Sequence, residues 1–256
     1  MADLENQNQP YSQNNNYPNY GANENTGYDY GSSKGLLGHD TRMKFITKVY
    51  SILSVQIGIT CAMCFIAIEN SGFNSFLKDS SNLWLFYVSI VMTLILCIMI
   101  VCYRKFAREV PTNYICLFLF TLFESYIVAQ ICVLYSPRIV IMAALLTMAM
   151  FIALTVYAFT TKTDFTVMGG LLFVCLFVFS LAGLFLLFTN NNVAHIIYCC
   201  FGVIIFSIYI IYDTQLLMDN KTYSYEIDDY IIASLQLYLD IINIFLYILE
   251  ILGRSD

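Results

Sequence analysis

The chain has 256 residues, 59% hydrophobic and only 12% charged, with a mean hydropathy of +0.69, whereas an ordinary soluble domain is about one quarter charged. From Phe45 onward too little polar surface remains to cover a soluble core, so the apolar excess must face lipid. The net charge of -6 and pI near 4.8 exclude a nucleic-acid partner, because no basic patch exists to neutralise phosphates.

Residues 1–40, "MADLENQNQPYSQNNNYPNYGANENTGYDYGSSKGLLGHD", are rich in Asn, Gln, Tyr and Gly and lack an apolar period. Such a composition buries too little surface to offset ordering entropy and reads as a disordered cytosolic tail. It has neither a basic n-region nor an apolar h-region, so no cleaved signal peptide is predicted.

Residues 41–256 read as one all-α transmembrane domain. Apolar runs recur at 45–68, 83–103, 114–134, 139–159, 169–188, 193–217 and 231–252, each long enough for a helix to cross a hydrocarbon layer of about 30 Å. The fold class is a polytopic seven-helix bundle with a polar N-terminal tail. Nearly all of the nine cysteines lie inside these runs, where they behave as small apolar residues. Cys61 and Cys64 form a C-x-x-C, but no second pair matches it and His39 and His195 are distant, so packing is the reading adopted.

Basic residues set the orientation. A cytosolic N-terminus puts nine of the twelve Lys and Arg on the cytosolic side, Arg42, Lys44, Lys48, Arg104, Lys105 and Arg108 among them, and leaves Lys78, Arg138 and Arg254 on the other. Seven crossings then place the C-terminus on the far side, whereas a re-entrant last segment would return it to the cytosol. On this topology the Asn220 sequon, "NKT", lies in a cytosolic loop and stays unglycosylated.

The last two runs each keep an acid, Asp213 in "IIYDTQLL" and Asp240 in "LYLDIINIFL". A carboxylate at the bilayer centre costs about 2.5–3.5 kcal/mol on the most lenient scale, so each is expected to face protein or water. Gln236, Asp240, Asn243 and Tyr247 fall on one face of the last helix, the face predicted to point inward, while Ile241, Phe245, Ile248 and Leu252 suit lipid or packing. At about 1.5 Å per residue, Asp213 lies roughly 6 Å and Asp240 roughly 14 Å from the cytosolic ends of antiparallel neighbours, close enough to meet. Facing carboxyls in a dry site share a proton and titrate as a pair, a pH sensor. The plainer reading has Asp213 snorkelling at a helix end and Asp240 acting as packing glue. Glu124 is a third intramembrane acid, on the same pathway or bonded to a neighbour; Gln56 reads as packing glue. Glu226, Asp228 and Asp229 form an acidic loop.

"VYSILSVQIGIT", "REVPTNY", "TKTDFT", "IIYDTQLL" and "SLQLYLDIINIFLYILEILG" together resemble the Bax inhibitor family, in particular its lifeguard branch, from Arg42 to Gly253. The resemblance implies a seven-helix bundle with the last helix central and a di-aspartyl pH sensor at Asp213 and Asp240, transient calcium ligands as well as titrating groups. It implies a calcium leak held shut by an arginine latch on the first acid; Arg104 and Arg108 are the two candidates for that latch. It further implies residence in endoplasmic reticulum or Golgi membranes, lowered calcium stores, restraint of apoptosis and cell-death regulatory proteins as partners. No cofactor is expected; calcium is the permeant ion.

No enzyme signature is found. An intramembrane aspartyl protease would explain Tyr212-Asp213, but Asp240 lacks the G-x-G-D context and no proline follows Pro137. A seven-helix receptor fails on orientation and a retinal protein on the want of a mid-span lysine. A non-conducting scaffold that binds cell-death regulators remains the alternative function.

Overall fold

The computed structural model describes residues 30–103, 107–189, 191–218 and 225–255. Arg104, Lys105, Asn220, Lys221 and residues 1–29 of the expected tail lie outside them. Among the described residues the chain forms eight α-helices: α1 Tyr30–Glu69, α2 Ser71–Lys78, α3 Leu83–Cys102, α4 Thr112–Cys132, α5 Pro137–Thr160, α6 Gly169–Leu186, α7 Asn192–Met218 and α8 Tyr230–Ser255. Seven, all but α2, are long and apolar enough to cross a membrane, and they match the seven apolar runs within a few residues at most ends. The chief difference is α1, which reaches back to Tyr30, into the end of the segment whose composition reads as tail.

Local chemistry sets several boundaries. The Asn70 side chain accepts from Phe73 N at 3.0 Å and starts α2, and Asp79 accepts from Ser81 N at 2.9 Å just after it. In the "YSPR" turn Pro137 takes the first position of α5, where its missing N–H costs nothing. α8 is one unbroken helix of 26 residues, about 39 Å at its usual rise.

α8 is the centre of the bundle. It packs on α7 most extensively and also on α1, α5, α4 and α3, and 67% of its apolar span is buried within the protein, against 17% in α3 and 11% in α6. Ile241, Phe245 and Ile248, on the face suited to lipid or packing, are buried against other helices. α6 touches the bundle mainly through α7 and presents Phe173, Phe177 and Phe185 outward, as a lipid-facing helix must.

Polar side chains stitch the central helix to its neighbours. Thr60 of α1 lies 2.8 Å from the Tyr238 hydroxyl of α8 and 3.0 Å from Ser125 of α4, and Gln56 donates to Thr121 of α4 at 3.1 Å. At the end of α8 away from the α7–α8 connection, Arg254 bonds Glu250 at 2.9 Å and Asn192 at 2.7 Å, with His195 Nδ1 3.4 Å from Glu250, so α7 and α8 are also clasped there. A cavity of about 610 Å³ opens between α1, α5 and α8, walled by Phe151, Ile241 and Phe245. Neither Asp213 nor Asp240 lines it.

Candidate functional site

α7 and α8 run antiparallel, so the last turns of α7 meet the early turns of α8. Asp213 and Asp240 face one another there, near enough for their carboxyls to interact. They are 2% and 5% exposed, so both are shut off from bulk solvent in this conformation. Among the described residues, Asp213 Oδ1 and Asp240 Oδ2 have no hydrogen-bonding partner. A buried oxygen without a donor is costly, so the site holds acceptor capacity that a proton, a water or a cation could satisfy.

The pair has a polar neighbour that the sequence reading did not single out. Tyr225, in the connection before α8, lies near Asp213 and donates its hydroxyl to Gln236 Oε1, one turn before Asp240. Burial, reinforced by the Asp213 and Asp240 carboxyls, pushes this hydroxyl well above its ordinary value, so it keeps its proton.

Basic residues from two other parts of the bundle hold the same connection. Arg42 of α1 is 7% exposed; it donates to Tyr225 O at 2.7 Å and to Leu216 O, near the end of α7, at 2.8 Å. Arg108, from the α3–α4 connection, reaches Glu226 at 2.7 Å and Asp229 at 2.8 Å. Lys48 of α1 sits 3.2 Å from the centroid of the Tyr230 ring, and Asn113 of α4 donates to the Tyr230 hydroxyl at 2.9 Å. Residues counted as topology anchors thus also contact the end of α7 and the residues that lead into α8.

The remaining candidates are dispersed. Arg108 pairs with the loop acids Glu226 and Asp229 and not with Asp213 or Asp240; Arg104 lies outside the described residues. Glu124 is half-buried on α4, with Cys97 of α3 and Tyr238 of α8 as its electrostatic neighbours. Asn243 donates to Leu239 O of its own helix at 2.8 Å. Gln215, two residues past Asp213, accepts from Phe165 N at 2.8 Å and donates to Thr163 O at 2.9 Å, tying "TKTDFT" to the end of α7.

Comparison with known proteins accords with this architecture. Residues 42–256 match the family model described as Inhibitor of apoptosis-promoting Bax1, so the match begins at the buried Arg42. The chain is 33% identical to Protein lifeguard 3 of Mus musculus over 219 residues, covering 84% of this chain and 70% of that protein. It is 34% identical over 229 residues to the Golgi anti-apoptotic protein of Vaccinia virus (strain Lister), covering 90% of this chain and 93% of the viral one. It is 33% identical over 225 residues to Protein LIFEGUARD 2 of Arabidopsis thaliana, covering 85% and 90% respectively. With the family model spanning every membrane helix and relatives this similar over most of their length, the chain belongs to the Bax inhibitor family.

Proposed function

We propose that this multi-pass membrane protein is a pH-sensitive calcium leak of intracellular membranes that lowers stored calcium and restrains apoptosis, with Asp213 and Asp240 as its sensor. The carrying observation is the approach of two carboxyls from adjacent helices, both enclosed and each with an unpartnered oxygen. Two like charges this near at low dielectric cannot both persist cheaply, so the enclosed arrangement holds at most one charge. Loss of the last proton drives the carboxyls apart or draws in a cation. Calcium takes hard oxygen ligands, and the pair supplies them.

The names of the relatives support the cellular side of this reading: the viral protein is called a Golgi anti-apoptotic protein. A Golgi location agrees with that name, and a cytosolic N-terminus agrees with the distribution of Lys and Arg. The enclosure of the acid pair also favours a second reading, a non-conducting scaffold that binds cell-death regulators and in which the aspartates only join α7 to α8.

Calcium entry into dye-loaded liposomes, scanned from about pH 5 to 8, separates the two. A leak predicts a pH-dependent flux that Asp213→Asn or Asp240→Asn flattens; a scaffold predicts no flux from any sample.

A further inference from the structure

The cavity between α1, α5 and α8 stands apart from the acid pair and is long rather than round. On α1 its wall runs from Tyr50 to Glu69, about 28 Å at the usual rise, and on α5 from Phe151 to Pro137, about 21 Å. The end nearer the acid pair is closed where the Tyr50 ring packs on Phe151 at 6.4 Å between centroids. The flank is open, because α1 and α5 each pack on α8 but make little contact with one another. Phe65 of α1 with Ile141 and Met148 of α5, all exposed on the outer surface of the bundle, form the rim. The slot therefore continues the lipid-facing surface inward, as far as Ile242 of α8 and Val128 of α4.

Water does not suit this space. Ser54 donates to Tyr50 O at 2.7 Å and Thr147 to Ala143 O at 2.8 Å, Thr60 is engaged by Tyr238 and Ser125, and the Tyr50 hydroxyl is enclosed in protein. A water on these walls lacks the two to four partners it needs. Left empty, the slot would forfeit dispersion contacts along every wall, and in a bilayer the material at hand to fill it is a hydrocarbon chain. At the mouth away from the acid pair, Glu69 is the one charged side chain on the wall, exposed and without an ion-pair partner among the described residues. A carboxylate there accepts hydrogen bonds from an ammonium and repels an anionic headgroup.

We propose that the slot between α1 and α5 is a binding site for one acyl chain of a zwitterionic phospholipid with an ammonium headgroup, which sits at Glu69 on the face of the bundle away from the acid pair. The chain completes the packing around α8, which α1 and α5 leave open between them. The lipid is a structural partner of the central helix, and the assignment stands whether or not the acid pair gates calcium.

The experiment is native mass spectrometry of the full chain released from nanodiscs of equimolar phosphatidylethanolamine and phosphatidylglycerol, with the melting temperature of delipidated protein measured before and after each lipid is added back. The parent is expected to retain one phospholipid, phosphatidylethanolamine over phosphatidylglycerol by about three-fold, and to melt higher when phosphatidylethanolamine returns. Ala144→Phe, which puts a ring into the slot from the α5 wall, is expected to lose both the retained lipid and the lipid-dependent rise in melting temperature. Glu69→Gln is expected to keep the lipid and lose the headgroup preference. Equal retention by the parent and a folded Ala144→Phe protein marks ordinary annular lipid and overturns the proposal. A parent that holds both lipids equally or favours the anionic one also overturns it, as does a preference that survives Glu69→Gln. If Ala144→Phe does not fold, Gly58→Phe gives the same test from the α1 wall, where a Cβ meets nothing within 4 Å.

Discussion

Thr60 shows how much one hydroxyl can organise. Its Oγ1 lies within hydrogen-bonding distance of Tyr238 and Ser125 and donates to Gln56 O, so it joins three helices. The Tyr238 side chain is fully buried, and Thr60→Val would strand its hydroxyl at a cost of about 1–3 kcal/mol. Thermal unfolding in detergent should show that loss, and Thr60→Val combined with Tyr238→Phe should cost less than the sum of the two, because the second change removes the stranded group. Residues of this scale were unevenly legible in the sequence. Asp213 and Asp240 stood out because an acid amid leucines and isoleucines is expensive wherever the helix points. Arg42 did not, since a basic residue just ahead of an apolar run has the same local signature as Lys44 or Lys48, both exposed, and only the approach of α7 separates them. Tyr225 lies in a polar connection with no period to read.

Among the elements, α7 and α8 meet at the acid pair near one end and through an aromatic cluster further along. Phe179 of α6 stacks on Tyr198 of α7 at 4.1 Å between centroids, and Tyr247 of α8 packs edge-on against both. Gly202 lets this happen: a Cβ there would lie 2.7 Å from the Tyr247 ring and 2.9 Å from Phe179. Gly202→Ala is therefore expected to force α7 away from α8 and destabilise the protein by about 1–3 kcal/mol. Gly58 has nothing within 4 Å of such a Cβ, and Gly58→Ala should be neutral or stabilising by up to about 1 kcal/mol, the ordinary helix-propensity gain. Unfolding midpoints of the two variants, measured side by side, check the contrast. The helices themselves were plain in the sequence because length and hydropathy dictate a span. Their neighbours were not, since a lipid-facing and a protein-facing apolar residue look alike, and so Ile241, Phe245 and Ile248 gave no sign of being core.

At the scale of the whole molecule, a central α8 ringed by five other spans places Asp240 where several helices can feel its charge. Arg42, Lys48, Arg108 and Asn113 bring α1, the α3–α4 connection and α4 to the residues leading into that helix, so a change at the acid pair reaches much of one end of the bundle. The central claim is that the two aspartates act as one titrating unit that controls a calcium leak. Its most direct test is the pH profile of calcium flux for the parent, Asp213→Asn, Asp240→Asn and the double variant in the same liposomes. One unit predicts a pH-dependent parent and three equally flat variants, with no added effect of the second substitution. Single variants that each keep part of the pH dependence, with the remainder lost only in the double, would contradict it, as would a parent that passes no calcium at any pH.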